Sequence, residues 1–504
     1  MTASDTSPSN RLRARERFGR IEPAAVTLAV VALVWIVVFS VLVVRRHEGF
    51  WDVDFDMGIY DQAIWLLARG RQLITVRGLP LLGHHASFGL ALFAPASWLG
   101  AGPNVWNVAQ VTVLALGAVP VYLLARTRRL APWAAASLGA AYLLHPALQF
   151  LGWELFHPET LAITPLLAAW LCAARSSWRW FAFWCLLAVS MKEDVAILIV
   201  VAGAVIALRP GRPPGARTAG LVTAGLALVW FVLATQLLLP AVSGEAAHYQ
   251  GLYQGVGGSP GGILETLWND PGNLTGRLVS SEAGDFAWRV LAPFGPVGLL
   301  APVALVIGLP QFVLDAISDV SWTRQITFHY VALPLVAAAL AMVEGTAFLV
   351  RRVGGLTRWL VPGVVLACAL ATTLAWGPSP VGSEYRAGWW PPVTDDRIEV
   401  KRVAVRAVPG DASVSAVYTM VPHLSRRAEI FSFPNPWRES NYGAPGTAPP
   451  DPTTVDWLVV DRQALDDDGR ALLDQVLRGD ADDGGRFRVV LDRADVLVAR
   501  RARA

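Results

Sequence analysis

The chain has 504 residues, of which 54% are hydrophobic and 16% charged, with a formal net charge of +3. Globular chains run at about 45–50% apolar and about 25% charged, so a soluble multidomain protein, a disordered chain and a coiled coil are all excluded. A polytopic membrane protein remains. Its positive charge is almost all arginine, the lysines being Lys192 and Lys401, and it is scattered over short loops, which argues against a nucleic-acid partner. Cys172, Cys185 and Cys368 each sit in an apolar run, so neither a zinc cluster of cysteines nor a disulfide framework is expected.

In chain order, residues 1–22 form a basic tail with Arg11, Arg13, Arg15, Arg17 and Arg20. The apolar run 23–44 is long enough to cross a bilayer. It reads as a signal anchor with the tail in the cytoplasm. Ten further apolar runs lie near 104–125, 131–148, 158–174, 180–191, 194–208, 218–240, 286–298, 299–315, 329–348 and 359–377. The expected architecture is therefore an all-α polytopic membrane protein of about 11 transmembrane helices, N-terminus inside and C-terminus outside. The runs 180–191 and 286–298 are short enough to be half-spans, and Pro293–Gly298 predicts a break in the second. Arg126, Arg128, Arg129, Arg175, Arg179, Arg209, Arg212, Arg217, Arg351, Arg352 and Arg358 all fall in inner loops on this topology. Nearly all acids between residues 45 and 376, and all eight histidines, fall on the outer side. Titratable chemistry is gathered on one face.

Three outer regions follow. Residues 45–103 carry two stretches, 57–69 and 86–99, that read as interfacial helices. Residues 241–285 read as a Gly-rich loop. After a Pro/Gly/Trp-rich linker at 378–394, residues 395–504 read as a small extracytoplasmic α/β domain, with strands at 412–418, 456–461, 487–491 and 496–499 and a helix at 467–477.

Five constellations could carry chemistry. The first is Trp51–Gln62 with Asp52, Asp54, Asp56 and Asp61. Crowded carboxylates beside a membrane raise a pKa toward general-base range, or hold a divalent cation; Asp56 could equally cap a helix starting at Met57. The second is the His84-His85 pair, suited to metal or phosphate. The third, Glu154, His157 and Glu159, stands at the outer mouth of a span. The fourth, Lys192-Glu193-Asp194, interrupts a long apolar stretch, either facing a cavity or forming a wet outer turn. The fifth joins Asp315, Asp319, Arg324, His329 and Tyr330; Arg324 suits a phosphate or an ion pair with Asp319.

Together, Phe55–Trp65, His84–Phe88, Phe156–Glu159 and Lys192–Asp194 resemble a family of bacterial multi-spanning membrane proteins of unknown function, over roughly residues 25–350, with a weaker match at Val421–Arg426. That family resembles the GT-C superfamily of membrane glycosyltransferases, which use sugars carried on polyprenyl phosphate. The resemblance implies a GT-C-like membrane domain over 23–377, located in the cell membrane, with Asp56 at the catalytic position and Asp54 and Asp61 beside it. It also sets His84 and His85 where the superfamily often carries basic residues, while the residues themselves give the expected substrate or phosphate contacts, His84, His85, Glu154, His157, Glu159, Lys192, Glu193, Asp194, Arg324, His329 and Tyr330, and the expected Mg or Mn ligands, Asp54, Asp56 and His85. Ala86-Ser87 stand where that superfamily carries a Pro-Pro pair, and Met57 follows the aspartate. The expected partners are the bilayer, a polyprenyl-phosphate-linked sugar, and an envelope glycan, lipid or protein acceptor. The competing expectations are a transporter or flippase working through Lys192, Glu193 and Asp194, and a non-catalytic envelope scaffold.

Overall fold

A computed structural model describes residues 22–244, 248–387, 395–444, 447–481 and 485–502. The basic tail up to residue 21 and the second part of the expected linker, 388–394, lie outside the described residues.

The membrane part is a bundle of α1 (Pro23–Glu48), α3 (Pro103–Thr127), α4 (Pro132–Leu143), α5 (Pro146–Trp153), α6 (Pro158–Ala174), α7 (Trp178–Val189), α8 (Val195–Leu208), α9 (Ala216–Ser243), α13 (Pro302–Ile317), α14 (His329–Val353) and α15 (Thr357–Trp376). Between α1 and α3 lies a short helix, α2 (Ile59–Leu67). Between α9 and α13 lie α10 (Pro260–Asn269), α11 (Pro271–Leu278) and α12 (Ser281–Leu291). Among the described residues, α1, α3, α9, α14 and α15 are each long and apolar enough to cross a membrane alone. The pair α4 and α5 makes one span bent by 51°. Pro146, which cannot donate to the preceding turn, accounts for the bend, and His145 caps the new helix by accepting from the Ala147 amide at 3.1 Å.

Position in the bundle follows composition. In the most apolar stretch of α14, 78% of residues are buried, against 17% in α9. The alanine-rich face of α14 (Ala332, Ala337, Ala338, Ala339, Ala341) lets neighbours approach closely, whereas α9 turns bulky side chains such as Leu226 and Val229 outward.

One expected break is present and one expected loop is corrected. The run 286–298 is broken where Pro293–Gly298 predicts, and the helical part is shorter than the run: α12 ends at Leu291, and short 3₁₀ turns at Ala292–Phe294 and Pro296–Leu300 follow. The prolines and glycines there deny the chain a continuous ladder. Residues 241–285 are not an open loop, because Ser259, Asp270 and Ser280 each cap a helix through the side chain.

The C-terminal part holds a five-stranded sheet. Counting a small hairpin in the first outer loop, β1 (Leu73–Ile74) and β2 (Leu79–Pro80), its strands are β3 (Val414–Ala416), β4 (Ile430–Ser432), β5 (Trp457–Asp461), β6 (Phe487–Arg493) and β7 (Val496–Arg501), in the order β4-β3-β5-β7-β6. β3 runs parallel to both β4 and β5, and β7 antiparallel to β5 and β6. Helices α16 (Asp396–Arg406) and α17 (Asp467–Arg478) flank it. Neither α16 nor β4 stands out in the sequence, α16 being too charged and β4 only three residues long.

Candidate active site

The loop between α1 and α3 sets the site. After α1, residues Asp54–Gly58 form one π-helical turn that leads into α2. The turn closes by a hydrogen bond from the Gly58 amide to the Val53 carbonyl at 3.2 Å, and a Cβ on Gly58 would stand 2.8 Å from the Val421 side chain. Asp56 is therefore inside this turn and not the N-cap of a helix starting at Met57. Such single π turns concentrate at functional sites. Further along, the Gly89 amide donates to the Ser190 carbonyl at 2.7 Å. A Cβ on Gly89 would lie 2.7 Å from the Met191 sulfur. That close approach brings His84-His85 beside Lys192–Asp194.

The elements enclose a cavity of about 540 Å³. Asp56, His84, His85, Glu154, His157, Lys192, Glu193, Asp194, His329 and Tyr330 all line it. Ile197 of α8, Phe231 of α9, Ile263 of α10, Leu314 of α13 and Phe328 give it an apolar wall. One end is thus polar, and the other runs to α9, the least buried of the five long apolar helices.

The polar end is tightly coupled. Lys192 bonds Glu159, which stands behind the lining, and lies 3.0 Å from Asp194. Burial lowers the affinity of Lys192 for its proton, but Asp194, Glu159 and Glu193 outweigh it and hold the ammonium well above its ordinary pKa. The His85 Nδ1 meets Glu193 at 2.8 Å, and the other Glu193 oxygen accepts from the Ala86 amide at 3.0 Å. The rings of His157 and His329 stack at 3.6 Å, 7° from parallel. Burial, then the positive field of His329 and Lys192, pushes His157 well below the ordinary histidine pKa, so its ring is neutral. The Tyr60 hydroxyl sits 3.2 Å from His157 Nε2.

Asp56 is pushed up to about 6 by burial, with Arg46 and Lys192 pulling it down and Asp54 and Asp52 pushing it up. Glu154 is driven well above the carboxylate range by burial, and Asp56 adds to it. A carboxylate near 6 is ionised at neutral pH yet basic enough to take a proton.

Three candidates fall elsewhere. Asp54 bonds Ser432 of the C-terminal sheet and does not line the cavity. Asp61 accepts from Trp106 Nε1 at 2.7 Å and from the Ser425 hydroxyl at 2.5 Å. Arg324 pairs with Glu282 at 2.6 Å and donates to the Ser318 carbonyl at 2.7 Å, while Asp319 pairs with Arg277 at 2.8 Å. The cation set of Asp54, Asp56 and His85 does not assemble, because Asp54 is turned to Ser432 and His85 to Glu193. Among the described residues, the cluster with metal-ligand spacing is His157, Glu159 and His329.

Two residues escaped the sequence reading. Tyr60 follows Asp56 by four positions, a spacing that places both on one helical face. Arg46 looked like an ordinary loop charge at the end of a span. It is buried, donates to the Trp153 carbonyl at 2.6 Å, and lies over the Trp153 ring at 3.8 Å.

Comparison with known proteins follows the same lines. The model of the predicted membrane protein family DUF2079 matches residues 46–498. Crystal structures of ArnT from Cupriavidus metallidurans superpose with a TM-score of 0.53 at 14% identity. The form bound to undecaprenyl phosphate covers 94% of this chain and 97% of its own, and the apo form 95% and 98%. The chain thus shares the fold of ArnT, a multi-pass membrane fold with a small C-terminal sheet domain. No curated protein matches the sequence.

Proposed function

We propose that this chain, which belongs to the predicted membrane protein family DUF2079, is a glycosyltransferase that moves a sugar from a polyprenyl-phosphate donor to an acceptor at the outer face of the bacterial cell membrane. The observation that carries the reading is the two-ended cavity. An apolar wall reaching the lipid-facing α9 meets a polar end holding Asp56 and Lys192. A polyprenyl chain suits the first end and a sugar phosphate the second. ArnT, which shares the fold, has been crystallised with undecaprenyl phosphate.

In this reading, the Asp56 carboxylate takes the proton from the acceptor hydroxyl as that oxygen attacks the anomeric carbon. The bond from that carbon to the phosphate oxygen breaks, its electron pair leaves on polyprenyl phosphate, and the configuration inverts. Lys192 stabilises the charge on the leaving phosphate. Tyr60, one turn from Asp56, and Tyr330 border the sugar. The N-terminus is cytoplasmic and the C-terminal domain extracytoplasmic.

The test is transfer from a panel of radiolabelled polyprenyl-phosphate sugars by protein in lipid, with and without Mn²⁺ or Mg²⁺. Wild type transfers and Asp56→Asn does not. Wild-type turnover by Asp56→Asn removes the assigned base. Neither transfer nor donor binding by wild type across the panel removes the glycosyltransferase reading.

A further inference from the structure

We infer that the end of the bundle opposite the Asp56 cavity carries a binding site for the phosphodiester headgroup of an anionic phospholipid. A pocket of about 210 Å³ opens there, and its lining includes Arg128, Arg209, Arg212, Trp170, Trp178 and Ile206. Arg128 follows α3, α6 ends at Ala174, α7 starts at Trp178, α8 ends at Leu208 and α9 starts at Ala216. The other ends of α6, α7 and α8 carry Glu159, Lys192 and Asp194. At 1.5 Å per residue, the 14 residues of α8 set the two sites about 20 Å apart.

Charge decides what fits. Arg128 holds Glu344 of α14 through Nε and Nη2 at 2.6 to 3.0 Å, and Trp170 Nε1 donates to the same carboxylate at 3.2 Å. Nη1 takes no part in that pairing. Among the described residues, Arg209 and Arg212 have no ion-pair partner. No acid lines the pocket, so three guanidinium groups meet one carboxylate behind them. A phosphodiester offsets that excess, and the guanidinium fork matches two of its oxygens. A zwitterionic headgroup brings an ammonium that finds no carboxylate in this lining.

The loop that carries two of the arginines is set before a ligand arrives. Residues Arg209–Gly215 read Arg-Pro-Gly-Arg-Pro-Pro-Gly. The three prolines fix φ, and Gly211 and Gly215 supply the left-handed φ of 64° and 79°. Trp178 Nε1 donates to the Pro214 carbonyl at 3.2 Å, and a Cβ on Gly215 would stand 2.8 Å from that nitrogen. A preset loop loses little freedom on binding.

The surroundings identify the source of the phosphate. Trp133, Trp180 and Trp359 fall within the first three residues of α4, α7 and α15, and all are exposed. Exposed tryptophans at helix ends mark the level of lipid headgroups. Beyond them on α7, Phe183 and Leu186 are also exposed, a strip for an acyl chain. The positive-inside rule puts this arginine-rich end in the cytoplasmic leaflet, where basic pockets between helices hold anionic headgroups. None of these residues lines the Asp56 cavity, so the inference holds with or without the transfer reaction.

The experiment titrates the full chain in neutral detergent with phosphatidylglycerol or phosphatidylcholine and counts retained lipid by native mass spectrometry. Wild type retains one phosphatidylglycerol at a concentration about tenfold below that needed for phosphatidylcholine. Amide exchange in residues 211–219 slows as it binds. Arg209→Ala/Arg212→Ala loses the preference. Arg351→Ala/Arg352→Ala, in the last turn of α14 and outside the pocket lining, keeps it. Equal retention of the two lipids by wild type overturns the site, a readout taken before any variant is made. So does a preference that survives the first double variant or is lost equally in the second. Displacement of the lipid by an equal concentration of glycerophosphoglycerol or inorganic phosphate overturns the lipid as source.

Discussion

Buried polar groups gather in the cavity around Asp56 and in the seam beneath the C-terminal sheet, and the two differ in how their carboxylates are paired. In the seam, Asp61 is satisfied by Trp106 and Ser425. Gln62 bonds Thr75 at 2.8 Å and accepts from the Val76 amide at 3.1 Å. Thr75 exchanges 2.8 Å hydrogen bonds with the backbone of Ile430. In the cavity, Glu154 Oε2, His157 Nδ1, Glu159 Oε1 and Asp194 Oδ1 have no hydrogen-bond partner among the described residues. Asp56 and Asp61 make the contrast within five positions of one motif. Paired buried groups hold parts together, and unpaired ones keep capacity for a ligand.

The comparison can be broken by variants on either side. The largest effect belongs to the cavity: Asp56→Asn cuts turnover about 10²–10⁴-fold, the usual worth of a general base, in the radiolabel transfer assay. Its fold is spared. The folded pKa of about 6 lies above the ~3.9 of an unfolded aspartate, so ionising Asp56 lowers stability as pH rises between those values. The neutral asparagine lifts that penalty, and the melting temperature at pH 7 holds or rises.

Next comes Lys192→Met, which strands Glu159 and Asp194. Breaking a buried pair costs about 3–5 kcal/mol, read as a fall in thermal midpoint. Adding Glu159→Gln recovers part of it.

On the seam, Asp61→Ala leaves the Trp106 N–H and the Ser425 hydroxyl unsatisfied at about 1–3 kcal/mol. Hydrogen exchange rises in residues 421–432, while transfer falls far less than in Asp56→Asn. Equal losses of transfer in the two variants would erase the distinction.

A smaller effect sharpens it. kcat/KM rises with pH to a plateau above about 6 as Asp56 ionises, and at pH 5 it stands roughly tenfold below that plateau. A profile flat from pH 5 to 8 excludes Asp56 as the base. The smallest effect is that of Arg324→Ala. Its partner Glu282 has a side chain 61% exposed, so the loss is about 0.2–1 kcal/mol, and transfer is unchanged.

Much of the fold was legible because the signal is local. Apolar length marks α1, α3, α9, α14 and α15 directly, and short continuous apolar runs mark β5 and β7. The capped helices after α9 were hidden by a polar, glycine-bearing composition. β4 was hidden because its three residues acquire strand form only against β3. For the site, the gathering of acids and histidines on one face was readable, and Asp56, His84, His85, Glu154, His157, Lys192, Glu193, Asp194, His329 and Tyr330 do share one cavity. Asp54, Asp61 and Arg324 read no differently in sequence, yet Ser432, Ser425 and Glu282 claim them. Those partners lie 42 or more positions away, beyond any local pattern.

The sequence by itself determined that this is a polytopic membrane protein, which long apolar runs are spans, and that its titratable groups gather in a few loops. These follow from the cost of placing backbone and charge in hydrocarbon, a property of each segment alone. Only the tertiary structure decided which aspartate opens to the cavity and which is sealed in the seam. It also decided that His157, Glu159 and His329 converge. Pairing of buried polar groups depends on which side chains long-range packing brings within three or four ångströms, and no residue type or spacing carries that information.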